Sequence, residues 1–347
     1  MRYPPLPTDA PEDLKSAVRR FESGFYHNAI DLLLKVLAAT PSNTEAAHYL
    51  MLANRRLAPR SLSKPTLVWQ FRPDGAWETD WLRELLGGVI GDEVVDNTWN
   101  RIVDPMIVVD NRLVPEKTSY YRDAFMRGCR VVLVHLSDEA FKDDLGAYRY
   151  CDAVIRNYYT ERLADVASIR HIPLGFKAGF ARPSSPDNPV SARRHVWSFA
   201  GDANKHGRAD MLLNMDRVEG GRVHATSGFG AADALPTAEY RALIDDTAFA
   251  PCPGGWSNLD TFRVYEALEA GAIPIVERRP GFDYFTRLLG THPIPAVEDW
   301  REAAAFVTAH RDPAVAEPLR RKCRAWWTDY KVRLRDDLAG FVRAALV

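Results

Sequence analysis

The stretch Asp245–Glu277, DDTAFAPCPGGWSNLDTFRVYEALEAGAIPIVE, decides the fold of this chain. Its first part, Thr247–Cys252, is short, apolar and bounded by turn residues, which predicts a buried parallel strand. Its last part, Ile273–Val276, predicts the next strand, and Gly271 stands where a helix between the two would need a left-handed C-cap. The pattern indicates a βαβ unit, whose strand-to-helix loop can hold a ligand at a helix N-terminus.

Polar residues lie where that loop meets the helix. Pro253–Gly255 breaks the strand, and three residues can cap the helix that follows, namely Ser257, Asn258 and Asp260. Arg263 and Glu266 then share one helix face. An arginine in the first turn suits a diphosphate, and a carboxylate one turn later can accept the hydroxyls of a ribose. The same spacing is also that of an ordinary surface ion pair, which would carry no function.

A family resemblance favours the functional interpretation. Asp260–Ile275, with the pattern DxxRxxEALxAGxIPI, resembles the donor-site signature of exostosin-like glycosyltransferases of family 47. Two earlier phrases resemble the N-terminal half of that family: HLSDE at His135–Glu139, and CDAVIRNYY at Cys151–Tyr159, which leads to IPLG at Ile172–Gly175. The resemblance covers residues 61–347 and implies a glycosyltransferase.

Composition excludes several classes of protein. With 347 residues, of which 46% are hydrophobic, the chain can build a sizeable core and is not expected to be disordered. A net charge of −1 gives no single-sign field for nucleic acid or a membrane surface, so no nucleic-acid partner is expected. The four cysteines are scattered and form no CxxC pair, which indicates neither a zinc site nor a disulfide framework.

The N-terminus MRYPPLPTDAPEDL has no apolar core of signal-peptide length. No run approaches the roughly 18 consecutive apolar residues of a transmembrane helix. Eukaryotic exostosin-like enzymes usually carry a membrane anchor, and the chain departs from them in this respect. We therefore expect a soluble, cytoplasmic, bacterial protein.

Residues 11–58 have a helical pattern. Gly24, Tyr26, Ala29 and Pro41 stand at the spacing of a tetratricopeptide (TPR) repeat. One and a half such repeats cannot bury a core alone, so we expect these helices to pack on the following domain or on another copy. Residues 11–60 could then bind a protein partner, self-associate, or serve as a structural cap.

Strand and helix signals alternate through the rest of the chain, which predicts doubly wound parallel sheets of the α/β class. In the first half they are Thr66–Phe71, Thr79–Leu86, Met106–Asp110, Lys117–Arg127, Arg130–His135, Ala153–Arg156 and Thr160–Ala167. In the second half they are the strand His195–Ala200, the helices Ala209–Met215, Thr237–Ile244, Asp299–Ala309 and Pro318–Val347, and a loop at Pro280–Tyr284.

The resemblance implies the GT-B fold, in which two Rossmann-like domains face a cleft. The expected division is a TPR-like segment 1–60, an acceptor domain 61–181, a linker 182–194, a donor domain 195–317, and a C-terminal helix 318–347 that crosses back to the first domain. Ligands bind outside the carboxyl ends of such strands, so Gly175 on one side and Gly201 on the other are expected at the cleft.

The turn after the strand His195–Ala200 carries cations where a helix begins. Gly201, Lys205 and Arg208 suit a phosphate group there, although no G-x-G-x-x-G indicates a dinucleotide site. Without the resemblance, Lys205 and Arg208 would be interpreted as ordinary charged residues of a solvated loop. The resemblance implies otherwise, because a strand, a glycine and an arginine in this order open the donor domain of the family.

The resemblance implies an inverting transfer from a nucleotide diphosphate sugar, most simply a UDP sugar, to a glycan hydroxyl, as in polysaccharide biosynthesis. Lys205, Arg208 and Arg263 would neutralise the departing diphosphate, and Glu266 would hold the ribose. Gly201, Ser257, Asn258 and Asp260 are expected to complete the donor nucleotide site. Cations can replace a divalent metal in that role, and no acidic pair stands in a convincing metal context. We therefore expect no metal and no cofactor.

Such a transfer needs one general base on the acceptor side. Asp138 is the first choice, because it follows the predicted strand that ends at His135. Glu139 and His135 are close alternatives, and His135 can equally be a core histidine. Asp110 is a weaker candidate.

Three other functions remain open on the sequence. The chain could be a fucosyltransferase-like enzyme that uses a GDP sugar. It could be an inactive transferase that serves as a TPR-containing scaffold, although such a protein need not keep Arg208, Arg263 and Glu266. It could also be a nucleotide-sugar epimerase or hydrolase of the same fold.

Overall fold

The structure is a computed structural model, and it describes residues 9–57, 63–74, 77–181, 187–205, 207–228 and 230–346. Parts of every predicted segment lie outside these ranges: residues 1–8 and 58–60 of the TPR-like segment, 61–62 and 75–76 of the acceptor domain, 182–186 of the linker, 206 and 229 of the donor domain, and 347 of the C-terminal helix.

Three helices form the N-terminal segment, namely α1 (Glu12–Glu22), α2 (Tyr26–Ala39) and α3 (Thr44–Leu57). The turn between α1 and α2 contains Gly24 at φ +81°, a left-handed conformation that glycine adopts without strain. The segment packs on the following domain, because the His48 ring stacks on Phe125 at 4.8 Å and Arg55 forms an ion pair with Asp152. The helices therefore share a core with Phe125 of the first domain, and their TPR character stays a prediction.

The first sheet has six parallel strands in the order β2-β1-β3-β4-β5-β6. Its strands are β1 (Thr66–Trp69), β2 (Glu93–Val95), β3 (Met106–Asp110), β4 (Val131–His135), β5 (Ala153–Arg156) and β6 (Ile169–His171). Its helices are α4 (Thr79–Leu86), α5 (Thr118–Met126) and α6 (Glu161–Ala164). Every residue of β3, β4 and β5 is buried, as expected for parallel strands covered on both faces.

The second sheet has five parallel strands in the order β11-β10-β9-β7-β8. Its strands are β7 (His195–Asp202), β8 (Gly221–Thr226), β9 (Thr247–Cys252), β10 (Ile273–Glu277) and β11 (Ala296–Val297). Its helices are α7 (Arg208–Met215), α8 (Thr237–Asp245), α9 (Phe262–Glu269), α10 (Tyr284–Leu289) and α11 (Trp300–Ala309). The predicted βαβ unit is confirmed as β9, α9 and β10, with Gly271 at φ +67° after the helix.

The helix cap predicted for this unit was wrong. Helix α9 begins at Phe262, and its N-cap is Thr261 in an extended conformation, without a side-chain cap hydrogen bond. Asn258 instead accepts a hydrogen bond from the Asp260 N–H at 3.0 Å, which turns the chain before the helix starts. The loop is therefore longer than predicted, and Arg263 lies within the first turn.

Helix α12 (Pro313–Leu346) connects the two domains. It begins at Pro313, before the predicted Pro318, and Pro318 lies inside the helix. Trp327 stacks on Trp81 of α4 at 5.6 Å, and Lys331 contacts both Glu84 of the first domain, at 3.1 Å, and Glu269 of the second. One continuous hydrophobic core thus runs behind the cleft.

Within the described ranges, no helix combines the length and the apolar character that a membrane crossing requires. All four cysteines are buried free thiols.

Candidate functional site

A cleft of about 270 Å³ opens between the two sheets at the carboxyl ends of their strands. Its second-domain wall includes Gly201, Lys205, Arg208, Trp256, Arg263 and Glu266. Its first-domain wall includes Trp77, Glu139, Tyr158, Leu174 and Lys177. The structure therefore brings most of the predicted donor residues together in one place.

Gly201 ends the buried part of β7 and lies against Arg263. Its φ is +143°, and a Cβ atom there would stand 2.7 Å from Arg263 Nη2. Only glycine leaves room for the guanidinium, which donates to the Ala200 carbonyl at 2.8 Å and lies 4.7 Å from the centre of the Phe199 ring. The two predicted residues thus form one unit at the end of β7.

Arg208 begins α7 and lies beside Arg263. It donates to the carbonyl oxygens of Asp202 at 2.8 Å and of Gly254 at 3.2 Å. Burial lowers the pKa of Arg208 to about 10, and the neighbouring Arg263 cation contributes in the same direction. The Nε atoms of both arginines are buried without a hydrogen-bond partner, and within the described ranges no carboxylate forms an ion pair with either guanidinium.

Lys205 and Trp256 stand at the mouth of the cleft. Lys205 is 7% exposed, and burial, followed by the Arg208 charge, lowers the pKa of its ammonium. Its Nζ lies 5.4 Å from the centre of the Trp256 ring, which is itself 63% exposed. Three cations and one exposed indole therefore face the same space.

The two acidic residues of the signature hold the crossover between the domains. The Leu174 N–H donates to Asp260 Oδ2 at 3.2 Å, and the Lys177 N–H donates to Glu266 Oε1 at 3.4 Å. Burial raises the pKa of Asp260 to about 7 and also raises the pKa of Glu266. Gly175 lies between these contacts at φ +74°, where a Cβ would collide with the Trp81 ring at 2.3 Å.

Of the three predicted bases, Glu139 is the one that lines the cleft. Its Oε1 accepts hydrogen bonds from the N–H groups of Ser257 at 2.9 Å and Asn258 at 3.3 Å. Both residues were predicted to bind the donor nucleotide, and the structure shows their backbone amides directed at this carboxylate. Glu139 is thus a first-domain side chain that reaches the second domain.

Asp138 and His135 lie outside the cleft lining. Asp138 accepts from the Arg156 Nη2 at 3.3 Å and from the Lys142 N–H at 2.8 Å. His135 contacts the Tyr148 hydroxyl at 2.7 Å and Asp143 at 3.0 Å, and burial lowers the pKa of its ring to about 4. The first choice for the base is therefore tied into a buried network, and His135 has the surroundings of a neutral core histidine.

Asp110 is also 1% exposed and pairs with Lys117 at 2.9 Å, away from the cleft.

Sequence reasoning missed several residues of the cleft wall, namely Trp77, Tyr158, Lys177 and Trp256. Tyr158 lies within the CDAVIRNYY phrase and Lys177 follows the IPLG phrase, so the resemblance marked their neighbourhood. Backbone strain is a second signal, visible only in the structure. Ser137, Phe141 and Tyr158 have φ values of +65°, +53° and +57°, and such residues cluster at functional sites.

One family profile matches part of the chain. The family profile of the RXYLT1 C-terminal domain matches residues 232–347, which include α9 and Arg263. No curated protein sequence matches the chain.

Three solved structures resemble the fold. Anabaena Alr3699/HepE in complex with UDP is 10% identical, with a TM-score of 0.53, over 81% of this chain and 100% of that one. The same protein with UDP and glucose gives 10% identity and a TM-score of 0.50 over the same shares, 81% and 100%. An alpha1,3-fucosyltransferase is 12% identical, with a TM-score of 0.45, over 75% of this chain and 84% of that one.

The GT-B fold expected from the sequence is confirmed, with two parallel-sheet domains facing one cleft and a helical segment before them. The exostosin-like resemblance stays a prediction. With the RXYLT1 C-terminal profile, the fold supports a glycosyltransferase-like protein.

Proposed function

We propose that the chain is a metal-independent, inverting glycosyltransferase that moves a sugar from a UDP sugar to a glycan hydroxyl. One observation carries the proposal: a buried guanidinium, Arg208, and a partly buried one, Arg263, line the same cleft wall, and within the described ranges their hydrogen bonds go to carbonyl oxygens. A buried cation without a counter-charge is costly. Retaining one buried and one partly buried cation in this wall is explained if an anionic ligand supplies the missing charge.

The departing diphosphate is such an anion. When the bond between the sugar C1 and the diphosphate breaks, negative charge grows on the leaving oxygen, and Arg208 and Arg263 lie where they can stabilise it. Lys205 adds a third cation at the same wall. Glu266 is buried at the cleft and can accept a ribose hydroxyl. The UDP in the Anabaena HepE structures favours uridine as the base.

Glu139 is the base that we propose for the acceptor side. It lines the cleft, whereas Asp138 and His135 have buried partners elsewhere. In the transfer the acceptor oxygen attacks C1, its proton passes to the Glu139 carboxylate, and the nucleoside diphosphate leaves with the bonding electron pair. Attack from the side opposite the diphosphate inverts the configuration at C1.

The test is a calorimetric titration with UDP, GDP and ADP in the presence of EDTA. We expect UDP to bind without metal, and Arg263→Ala to weaken it by at least about 30-fold, because a charge-assisted contact to phosphate is lost. Arg217→Ala is the matched control, since this arginine is exposed and lies outside the cleft lining.

Other outcomes correct the proposal in defined ways. Preferential binding of GDP would keep the enzyme class and change the donor. Loss of UDP binding in EDTA would contradict metal independence. If no nucleotide binds, or if the two arginine variants behave alike, the donor site is refuted and the scaffold hypothesis replaces it.

A further inference from the structure

The Glu139 side chain extends from the first domain across the cleft to the second. It follows β4 in the first domain, yet its Oε1 accepts N–H groups from two consecutive residues of the loop between β9 and α9. Two amides converging on one oxygen form an anion-binding concavity, which serves a phosphate oxygen as well as a carboxylate.

The loop is built to receive an anion at this point. A Cβ atom on Gly255 would stand 2.4 Å from Glu139 Oε1, so the glycine leaves the space that the oxygen fills. The Gly255 N–H donates to the Asn258 carbonyl at 2.8 Å, which fixes the loop in a closed turn. The amide groups of Ser257 and Asn258 are therefore held in place by the loop itself.

The same carboxylate lies in the field of the donor-site cations. The Glu139 charge favours the protonated forms of Lys205 and Arg208, opposing the effect of burial on both. Glu139 thus supplies, from outside the donor domain, part of the negative charge that balances Lys205 and Arg208. A diphosphate bound to these cations would take over that role.

We propose that the Ser257 and Asn258 amides form a phosphate subsite that Glu139 occupies in the free chain, and that the donor diphosphate displaces Glu139 and releases it to act as the base. This inference rests on the proposed function. Two N–H bonds to the carboxylate break, two N–H bonds to a phosphate oxygen form, and the released carboxylate then accepts the proton of the acceptor hydroxyl.

The exchange imposes an order on the reaction. Before the donor binds, the carboxylate is engaged by the loop and is not available to an acceptor. The donor therefore binds first, and the base is exposed only when a sugar is present to be transferred. Part of the donor binding energy is spent on displacing Glu139, so removing this side chain strengthens nucleotide binding even as it removes the base.

Calorimetry with UDP and with inorganic pyrophosphate tests this on the full chain. We expect Glu139→Ala to bind both probes roughly tenfold more tightly than the wild type, because the internal competitor is gone. Glu139→Gln should show a smaller gain, since its amide oxygen can still accept the two N–H groups. A residue that only held the structure together would, when removed, weaken binding.

Asp202→Asn is the matched charge control. Asp202 lines the same cleft wall, but its Oδ1 accepts the Asn204 N–H at 2.8 Å within its own loop and does not touch the Gly255–Asn258 turn. We expect its effect on UDP affinity to be smaller than that of Glu139→Ala. Circular dichroism of each variant verifies that it is folded.

Two results overturn the inference. Unchanged or weaker UDP binding in Glu139→Ala shows that no competition exists, and equal gains in Glu139→Ala and Asp202→Asn show that simple charge removal explains the effect. In either case Arg263-dependent UDP binding would leave the proposed function standing. A wild-type chain that binds neither nucleotide nor pyrophosphate would refute both proposals.

Discussion

The two sheet edges that face the cleft differ in the partners of their charged side chains. After β4 and β5, Asp138 is paired with Arg156 at 3.3 Å, and His135 contacts Asp143 at 3.0 Å. After β7 and at the start of α9, Arg208 and Arg263 bond to main-chain carbonyls. Burial is therefore a poor guide to function by itself. What separates a structural charge from a binding charge is whether the chain supplies its counter-charge.

The largest effect is expected where a buried pair is broken on the first edge. Asp138→Ala leaves Arg156 buried without its carboxylate, and we expect the free energy of unfolding to fall by about 3–5 kcal/mol. Denaturant unfolding followed by circular dichroism measures the change. Asp337→Ala is the control, because its ion pair with Arg170, at 3.5 Å, is exposed and worth at most about 1 kcal/mol.

A loss as small as that of the control would mean that Arg156 finds other partners. Asp138 would then be free for a role in the cleft and would again be a candidate for the general base.

A change of pH is expected to have an intermediate effect on the free energy of unfolding. The sign of the effect is opposite for His135 on the first edge and Asp260 on the second. Burial lowers the pKa of His135 to about 4, from 6.5, so the unfolded chain binds more protons between these values and stability falls as pH falls through them. Burial raises the pKa of Asp260 to about 7, from 3.8, so the folded chain binds more protons and stability falls as pH rises through that window.

The titration of each group changes the free energy of unfolding by at most about 3–4 kcal/mol. Unfolding free energies measured from pH 4 to 8 report both contributions. Relative to wild type, His135→Gln should lose less stability on acidification, and Asp260→Asn should lose less as pH rises from 4 to 7. The two variants serve as controls for each other. Parallel shifts in the same direction would contradict the assignment of either group.

The smallest effect on stability is expected on the second edge. Arg263→Met removes a partly buried cation whose buried Nε has no hydrogen-bond partner among the described residues, so the loss of one carbonyl bond is offset by the removed desolvation cost. We expect the free energy of unfolding to change by no more than about 1 kcal/mol, while UDP binding is lost. A loss comparable to that of Asp138→Ala would show that Arg263 is structural, and the contrast between the edges would fail.

The sequence predicted those elements that bury a continuous apolar run. Thr247–Cys252 and Ala153–Arg156 have the predicted bounds because every residue of each strand is buried. Gly221–Thr226 escaped prediction, because this edge strand exposes most of its side chains and begins with glycine. The prediction of the α9 N-cap was wrong for a different reason. Several polar residues close together could each cap the helix, and the turn at Asn258 decides where the helix begins.

The positions of the donor-side candidates were predictable from the sequence, whereas those of the acceptor-side candidates were not. Arg263 and Glu266 lie on a helix, whose period fixes which side chains share a face. Asp138 and Glu139 lie in a loop, where no such period holds. Ser137, with its φ of +65°, changes the course of the chain just before them, so that Glu139 rather than Asp138 reaches the cleft.

Trp256 makes the tryptophan fluorescence of the protein sensitive to the cleft. The chain has nine tryptophans, and five of them, Trp69, Trp81, Trp197, Trp300 and Trp327, are at most 2% exposed. Indole emission shifts to the blue when water is excluded from the ring, and the buried five emit in surroundings that a ligand does not alter. Trp256 is 63% exposed and lines the cleft, as does the partly buried Trp77, so the emission of these two rings is the part of the spectrum that a bound ligand changes. The fold thus places a fluorescent reporter of occupancy beside the cations of the candidate donor site.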